Sequence, residues 1–145
     1  MQYNTMGLVT VPAKIENVCD LYLVSKGLIP EEQVHRIEVT DALVDTCFTY
    51  VAMPLKLIRQ LGFDEPTGMY QAQTAAGLFA RPLFGPVRLT VLNRLCSIDI
   101  AEVPDDWPVI IGKIPLQILD LVVDPQGQCL TGNPRHGGQQ IIEMY

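Results

Sequence analysis

The chain has 145 residues, 48% of them apolar and 18% charged, which is enough core-forming material for one buried domain and excludes a disordered chain. Its formal net charge is −6 and it carries no Lys/Arg run, so nucleic acid is not an expected partner. No apolar run reaches the roughly 18–20 residues of a membrane span, so a membrane is not expected either.

The opening residues MQYNTMGLVTVPAK lack a basic start followed by an apolar run and a small-residue cleavage site, which points to a cytoplasmic location. From there, short apolar segments separated by Pro, Gly, Asn and Asp predict a mainly-β domain. The first predicted strand is GLVTVPAKIEN, Gly7 to Asn17. The second runs from Val34 to Thr46, where Ile37 and Val39 alternate with Glu38 and Thr40. It then becomes wholly apolar at Ala42-Leu43-Val44, as a strand entering a core does.

In MPLKLIRQLGF, Pro54 suits a first helical position. Leu55, Leu57, Ile58 and Leu61 follow at helical spacing and Gly62 stops the helix. Strands follow between Met69 and Val103, with hairpin turns expected at Ala75-Ala76-Gly77 and at Phe84-Gly85-Pro86. The last third predicts an apolar strand ending at Gly112, a short helix with Pro115 near its start, and a hairpin in LVVDPQGQCL. Two strand–loop–helix units therefore recur, as in a chain of two related halves. Residues 135–145 read as a loose tail with an apolar end at Ile141 and Ile142.

The four cysteines, Cys19, Cys47, Cys96 and Cys129, form no C-x-x-C pair, so no zinc ribbon or redox motif is present and buried thiols are expected. His136 alone is not a metal site. Gly137-Gly138 lacks the strand and helix of a phosphate loop. Asp41, Asp105, Asp106 and Asp124 read as strand-end or turn carboxylates, and Trp107 as a partly buried packing residue. Taken alone, Asp45-Thr46 after a strand also reads as a turn.

Context changes that reading. ALVDTCFTYVAMP resembles the active-site segment of retropepsin-like aspartic proteases, which runs apolar-apolar-Asp-Thr-Gly, then a small residue or Phe, then Thr, apolar residues and Pro. QTAAGLF is similar to the family's Gly-tipped hairpin, and Ile110-Ile111-Gly112-Lys113 with IPLQIL to its apolar-apolar-Gly element and helix. The resemblance spans Gly7 to Pro134, and its ordered features are more specific than any one motif.

The resemblance implies a mainly-β, closed barrel of acid-protease type with one or two short helices. Residues 1–134 would form the domain, which is half of a C2 homodimer. It implies Asp45 as a catalytic carboxylate sharing a proton with its copy across the axis, and Thr46 as the residue that holds the pair coplanar. Cys47 and Phe48 would lie along the substrate cleft. Ala75, Ala76 and Gly77 would form the tip of a flap closing on an extended peptide. Gly112 would pass beneath the catalytic loop where a side chain collides. Neither a metal nor an organic cofactor is implied.

Cys47 departs from the family, which has Gly after Asp-Thr. Three readings stand: an active endopeptidase with a restricted cleft, a catalytically silent dimer that binds peptides, and a nucleophilic or redox role for Cys47. A thiol protease needs a histidine as base, and His35 and His136 are both poorly placed for it. The cost of Cys47 depends on its backbone, since a positive φ would strain it.

Overall fold

The computed structural model describes residues 9–144, so Gly7 and Leu8 of the first predicted strand lie outside the described residues, as does Tyr145 at the end of the tail. In chain order the strands and α-helices are β1 (Thr10–Asn17), α1 (Val18–Ser25), β2 (Arg36–Val44), β3 (Val51–Pro54), α2 (Leu55–Gln60), β4 (Gly68–Thr74), β5 (Gly77–Val91), β6 (Arg94–Val103), β7 (Ile110–Ile111), α3 (Lys113–Leu119), β8 (Leu121–Asp124) and β9 (Cys129–Gly132). The fold is mainly β. Seven strands form one sheet in the order β1-β2-β7-β3-β6-β5-β4, and a further pairing of β1 with β5 curls it into a partial ring. β8 and β9 form a separate hairpin, as LVVDPQGQCL predicts.

Most neighbours are antiparallel, but β2 runs parallel to β7, and β3 parallel to β6. β3, β7, the end of β2 at Ala42–Val44 and the Ile100-Ala101 step of β6 are apolar and buried on both faces because both faces are covered there. Ala42, Val44, Val51, Met53, Ile100 and Ile111 face the main core inside the ring. Leu43, Ala52, Ala101, Val103 and Ile110 face the other way, into a smaller cluster with Leu83, on which Phe48, Tyr50, Tyr70 and Trp107 pack. The apolar run at Ala42-Leu43-Val44 is thus the point where β2 passes from the rim to the centre.

Several local expectations are corrected. A helix that the sequence did not reveal, α1, follows β1 without a loop. Asn17 ends the strand and caps the helix, its Oδ1 accepting from the Asp20 N–H at 3.2 Å while its Nδ2 donates to Leu61 O at 2.8 Å. No residue of α1 is buried, so there is no apolar stripe to read. The described residues therefore hold three α-helices, where one or two were expected. Pro54 stands at the N-cap of α2 rather than inside it.

The expected turn at Phe84-Gly85-Pro86 is instead an irregularity within β5, where the register against β6 shifts between Phe84 and Val87. Pro86 has no N–H to give the ladder and sits at this break. The β5–β6 turn falls at Leu92-Asn93, both with positive φ, 50° and 63°, the geometry of a two-residue hairpin. Three of the cysteines, Cys19, Cys47 and Cys129, are exposed rather than buried, and only Cys96 lies in the core. Nor is the segment after Pro134 loose: Arg94 Nη2 donates to Gly138 O, Gln140 Nε2 to Ile118 O at 3.0 Å, and the Ile141 N–H to Asp120 Oδ2 at 3.1 Å. No helix among the described residues is long and apolar enough to cross a membrane.

Candidate functional site

The loop between β2 and β3 carries Asp45, Thr46, Cys47 and Phe48 together. It begins where parallel pairing with β7 ends, and four backbone bonds tie it to the chain around Gly112. The Asp45 N–H donates to Ile111 O at 3.1 Å, and the Gly112, Lys113 and Ile114 N–H groups donate to the carbonyls of Tyr50, Phe48 and Thr49 at 2.9, 2.8 and 3.0 Å. A Cβ on Gly112 would stand 2.6 Å from Phe48 O and closer still to Tyr50 O, so only glycine lets these backbones meet.

Asp45 is half-buried, and its Oδ1 accepts the Cys47 N–H at 2.9 Å while its carbonyl accepts the Phe48 N–H at 3.2 Å. It is therefore a turn residue and an accessible carboxylate at once. Among the described residues, those with positive φ other than glycine are Leu92, Asn93, Asp120 and Gln128; Cys47 is not among them. The strain a cysteine would suffer at positive φ does not arise, and Asp45 is not displaced on that account.

Two cavities flank the loop. One, of about 350 Å³, is lined by Cys47, Phe48, Thr49 and Tyr50 on the loop side and by Tyr70, Gln71, Ala72 and Gln73 of β4. The other, of about 550 Å³, lies between Phe48, Trp107 and the residues Tyr70, Ala72, Thr74 and Arg81 of the β4–β5 hairpin. Phe48 meets Trp107 edge-on with ring centroids 6.1 Å apart, and Tyr50 meets Tyr70 at 5.5 Å. Burial raises the Tyr70 phenol above its ordinary value, Arg81 opposing the rise and Tyr50 adding to it. Tyr50, Tyr70, Arg81 and Trp107 were not singled out by sequence as cleft residues. Only Tyr70 carried a signal, the period of two along β4, which puts it on one face with Ala72 and Thr74.

The hairpin tip behaves differently from its base. Thr74 Oγ1 accepts the Ala76 N–H at 3.2 Å and donates to Gly77 O at 3.1 Å, and Gly77 has φ +123°, so Ala75-Ala76 is a tight turn closed by a glycine. Ala75, Ala76 and Gly77 line neither cavity. Thr46 is exposed and lines neither of these cavities but a third hollow of about 420 Å³, with Lys113, Leu116, Gln117, Asp120, Leu121, Val122 and Asn133.

Both histidines are engaged elsewhere. His35 Nδ1 lies 2.7 Å from Asp20 Oδ2, and His136 lies between Asp120 and Glu143. Neither partner set includes Cys47. Among the described residues no group of three or more His, Cys, Asp or Glu side chains is arranged to hold a metal ion. Comparison of the chain with protein-family models and with curated proteins returns no match.

Proposed function

We propose that the chain is a retropepsin-like aspartic endopeptidase that works as a C2 homodimer in the closed barrel of that family. The observation that carries this reading is the setting of Asp45. It stands at the end of a core strand, on a loop held from beneath by the chain at Gly112, and the residues that follow it, Cys47 and Phe48, line cavities against the β4–β5 hairpin. An extended peptide fits such a groove, since β4 has β5 on one edge and no second sheet partner among the described strands.

In the dimer, two Asp45 carboxylates about 3 Å apart cannot both ionise and hold one proton between them. The ionised member takes a proton from water as it attacks the scissile carbonyl, and the protonated member donates to the carbonyl oxygen. The titration belongs to the pair. Thr46, on the exposed side of the loop, is the residue free to meet the second copy and keep the carboxylates coplanar. Cys47 and Phe48 form the cleft floor, and Ala75, Ala76 and Gly77 close over the peptide as the hairpin bends inward.

A second reading has its own support. Cys47 lines the 350 Å³ cavity, where a thiol takes space that glycine would leave open, as in a dimer that binds peptides without cutting them. Incubation with a peptide library from about pH 3 to 7, followed by mass spectrometry, tests both. Cleavage that Asp45→Asn abolishes supports the endopeptidase; peptide binding with no cleavage at any pH supports the silent dimer.

A further inference from the structure

The two cavities beside the Asp45 loop meet β4 in different ways, and the larger one holds two opposite charges that the proposed chemistry does not use. We propose that this larger cavity is a specificity pocket for a tyrosine side chain of the bound peptide, selected by Arg81 and Glu102, a proposal that rests on the reading of the cleft as a peptide groove.

Side chains alternate between the two faces of a strand, so four consecutive residues meet one cavity only along the strand's edge. Tyr70, Gln71, Ala72 and Gln73 all line the smaller cavity, which therefore runs along the edge of β4 that has no partner among the described strands. The larger cavity takes only Tyr70, Ala72 and Thr74 from β4, all of one face, and Arg81 joins them as the cross-strand partner of Tyr70. A peptide paired along the edge thus lays its backbone in the smaller cavity and turns alternate side chains toward the larger one.

The larger cavity, about 550 Å³, has an aromatic wall and a charged rim. Phe48 and Trp107, edge-on with ring centroids 6.1 Å apart, form the wall together with Tyr70, and such faces suit an aromatic ring. Arg81 and Glu102 form the rim, and both are exposed. Among the described residues neither forms an ion pair, with the other or with any third side chain. The Arg81 guanidinium lies over the Phe79 ring, 5.8 Å from its centroid, which limits its freedom without neutralising it.

A guanidinium only donates hydrogen bonds and a carboxylate only accepts them, so a tip that suits both must accept and donate. A phenol hydroxyl does both. An acidic or basic side chain meets one partner and one like charge at the same rim, where like charges repel. Phenylalanine fills the wall and leaves the rim unused, and the tryptophan N–H can only donate. Tyrosine satisfies wall and rim together. Because the rim is wet, its advantage over phenylalanine is about tenfold, well below that of a hydroxyl site sealed from water.

Fluorescence anisotropy with the Asp45→Asn chain, in which bound peptide is not consumed, tests the pocket. The probes are labelled peptides of Ala, Ser and Thr with one central position set to Tyr, Phe, Lys or Glu. The Tyr peptide binds about tenfold tighter than the Phe peptide, and the Lys and Glu peptides bind more weakly than either. Arg81→Met combined with Glu102→Leu brings the Tyr and Phe peptides to the same affinity, and continued binding of the Phe peptide shows that the cleft is intact. A Phe or Lys peptide that binds as tightly as the Tyr peptide, binding of none of the four, or a Tyr advantage that survives the double substitution overturns the pocket. Cleavage of a peptide library by the wild-type chain separates this from the endopeptidase reading. Cuts with no enrichment of tyrosine sink the pocket and leave that reading standing, whereas tyrosine-selective binding with no cleavage at any pH does the reverse.

Discussion

Gly112 donates its N–H to the carbonyl of Tyr50 at 2.9 Å, so the chain leading into α3 lies directly on the loop that carries Asp45. The contact has no room for a side chain. Gly112→Ala forces either β7 or the loop to move, and overpacking of this kind costs about 1–3 kcal/mol. A lowered urea midpoint with an unchanged slope is the expected result. A variant as stable as wild type would mean that the crossing is looser than described.

Cys47 occupies cleft space without straining its own backbone. Replacing it with glycine restores that space and leaves the Asx turn intact, because the bond to Asp45 uses the backbone N–H. Cys47→Gly is expected to raise kcat/KM for library peptides by about tenfold or more, the scale on which small volume changes act in a pocket. Activity that appears only in this variant identifies the natural chain as the silent dimer.

Trp107 packs edge-on against Phe48 and walls the larger cavity. Trp107→Ala removes an aromatic pair worth about 0.5–1.5 kcal/mol beyond its area and opens the cavity to water. Binding of peptides with large apolar side chains should weaken while circular dichroism stays unchanged. An equal loss for small and large side chains would show that the cavity does not receive them.

The thiols divide sharply. Burial pushes Cys96 up to about 11, whereas Cys19, Cys47 and Cys129 are exposed. Alkylation of the native protein near pH 8 should modify those three and spare Cys96 until denaturant is added, since the thiolate is the reactive form. Mass spectrometry of the labelled peptides reads this directly; rapid native labelling of Cys96 would contradict its burial.

The parts of this fold that could be read in advance are those whose local chemistry and burial agree. β2 was legible up to Asp45 because its pattern changes from alternating to wholly apolar as it enters the core, and α2 because Leu57, Ile58 and Leu61 share a face. The β8–β9 hairpin carried its own turn residues. What escaped was decided by partners far along the chain. α1 buries nothing, Leu92-Asn93 turns without a glycine, and the tail is held by Arg94 and Asp120, neither of which marks itself in sequence. The Asp45 loop stood out in sequence through its Asp-Thr motif, while the aromatic walls around it did not, because Tyr70 and Trp107 reach the loop from separate strands and loops.

The crossing at residues 111–114 sets an order of events during synthesis. The bonds that fasten the Asp45 loop from beneath come from residues 111–114, far later in the chain. While a ribosome is still producing β4 and β5, that loop has none of these anchors, and forming them requires closing a long loop of chain. The nascent protein thus carries Asp45 on an unshaped segment until its last third emerges. The Asp45 carboxylate is in this way kept without its final setting until the rest of the molecule is there to hold it.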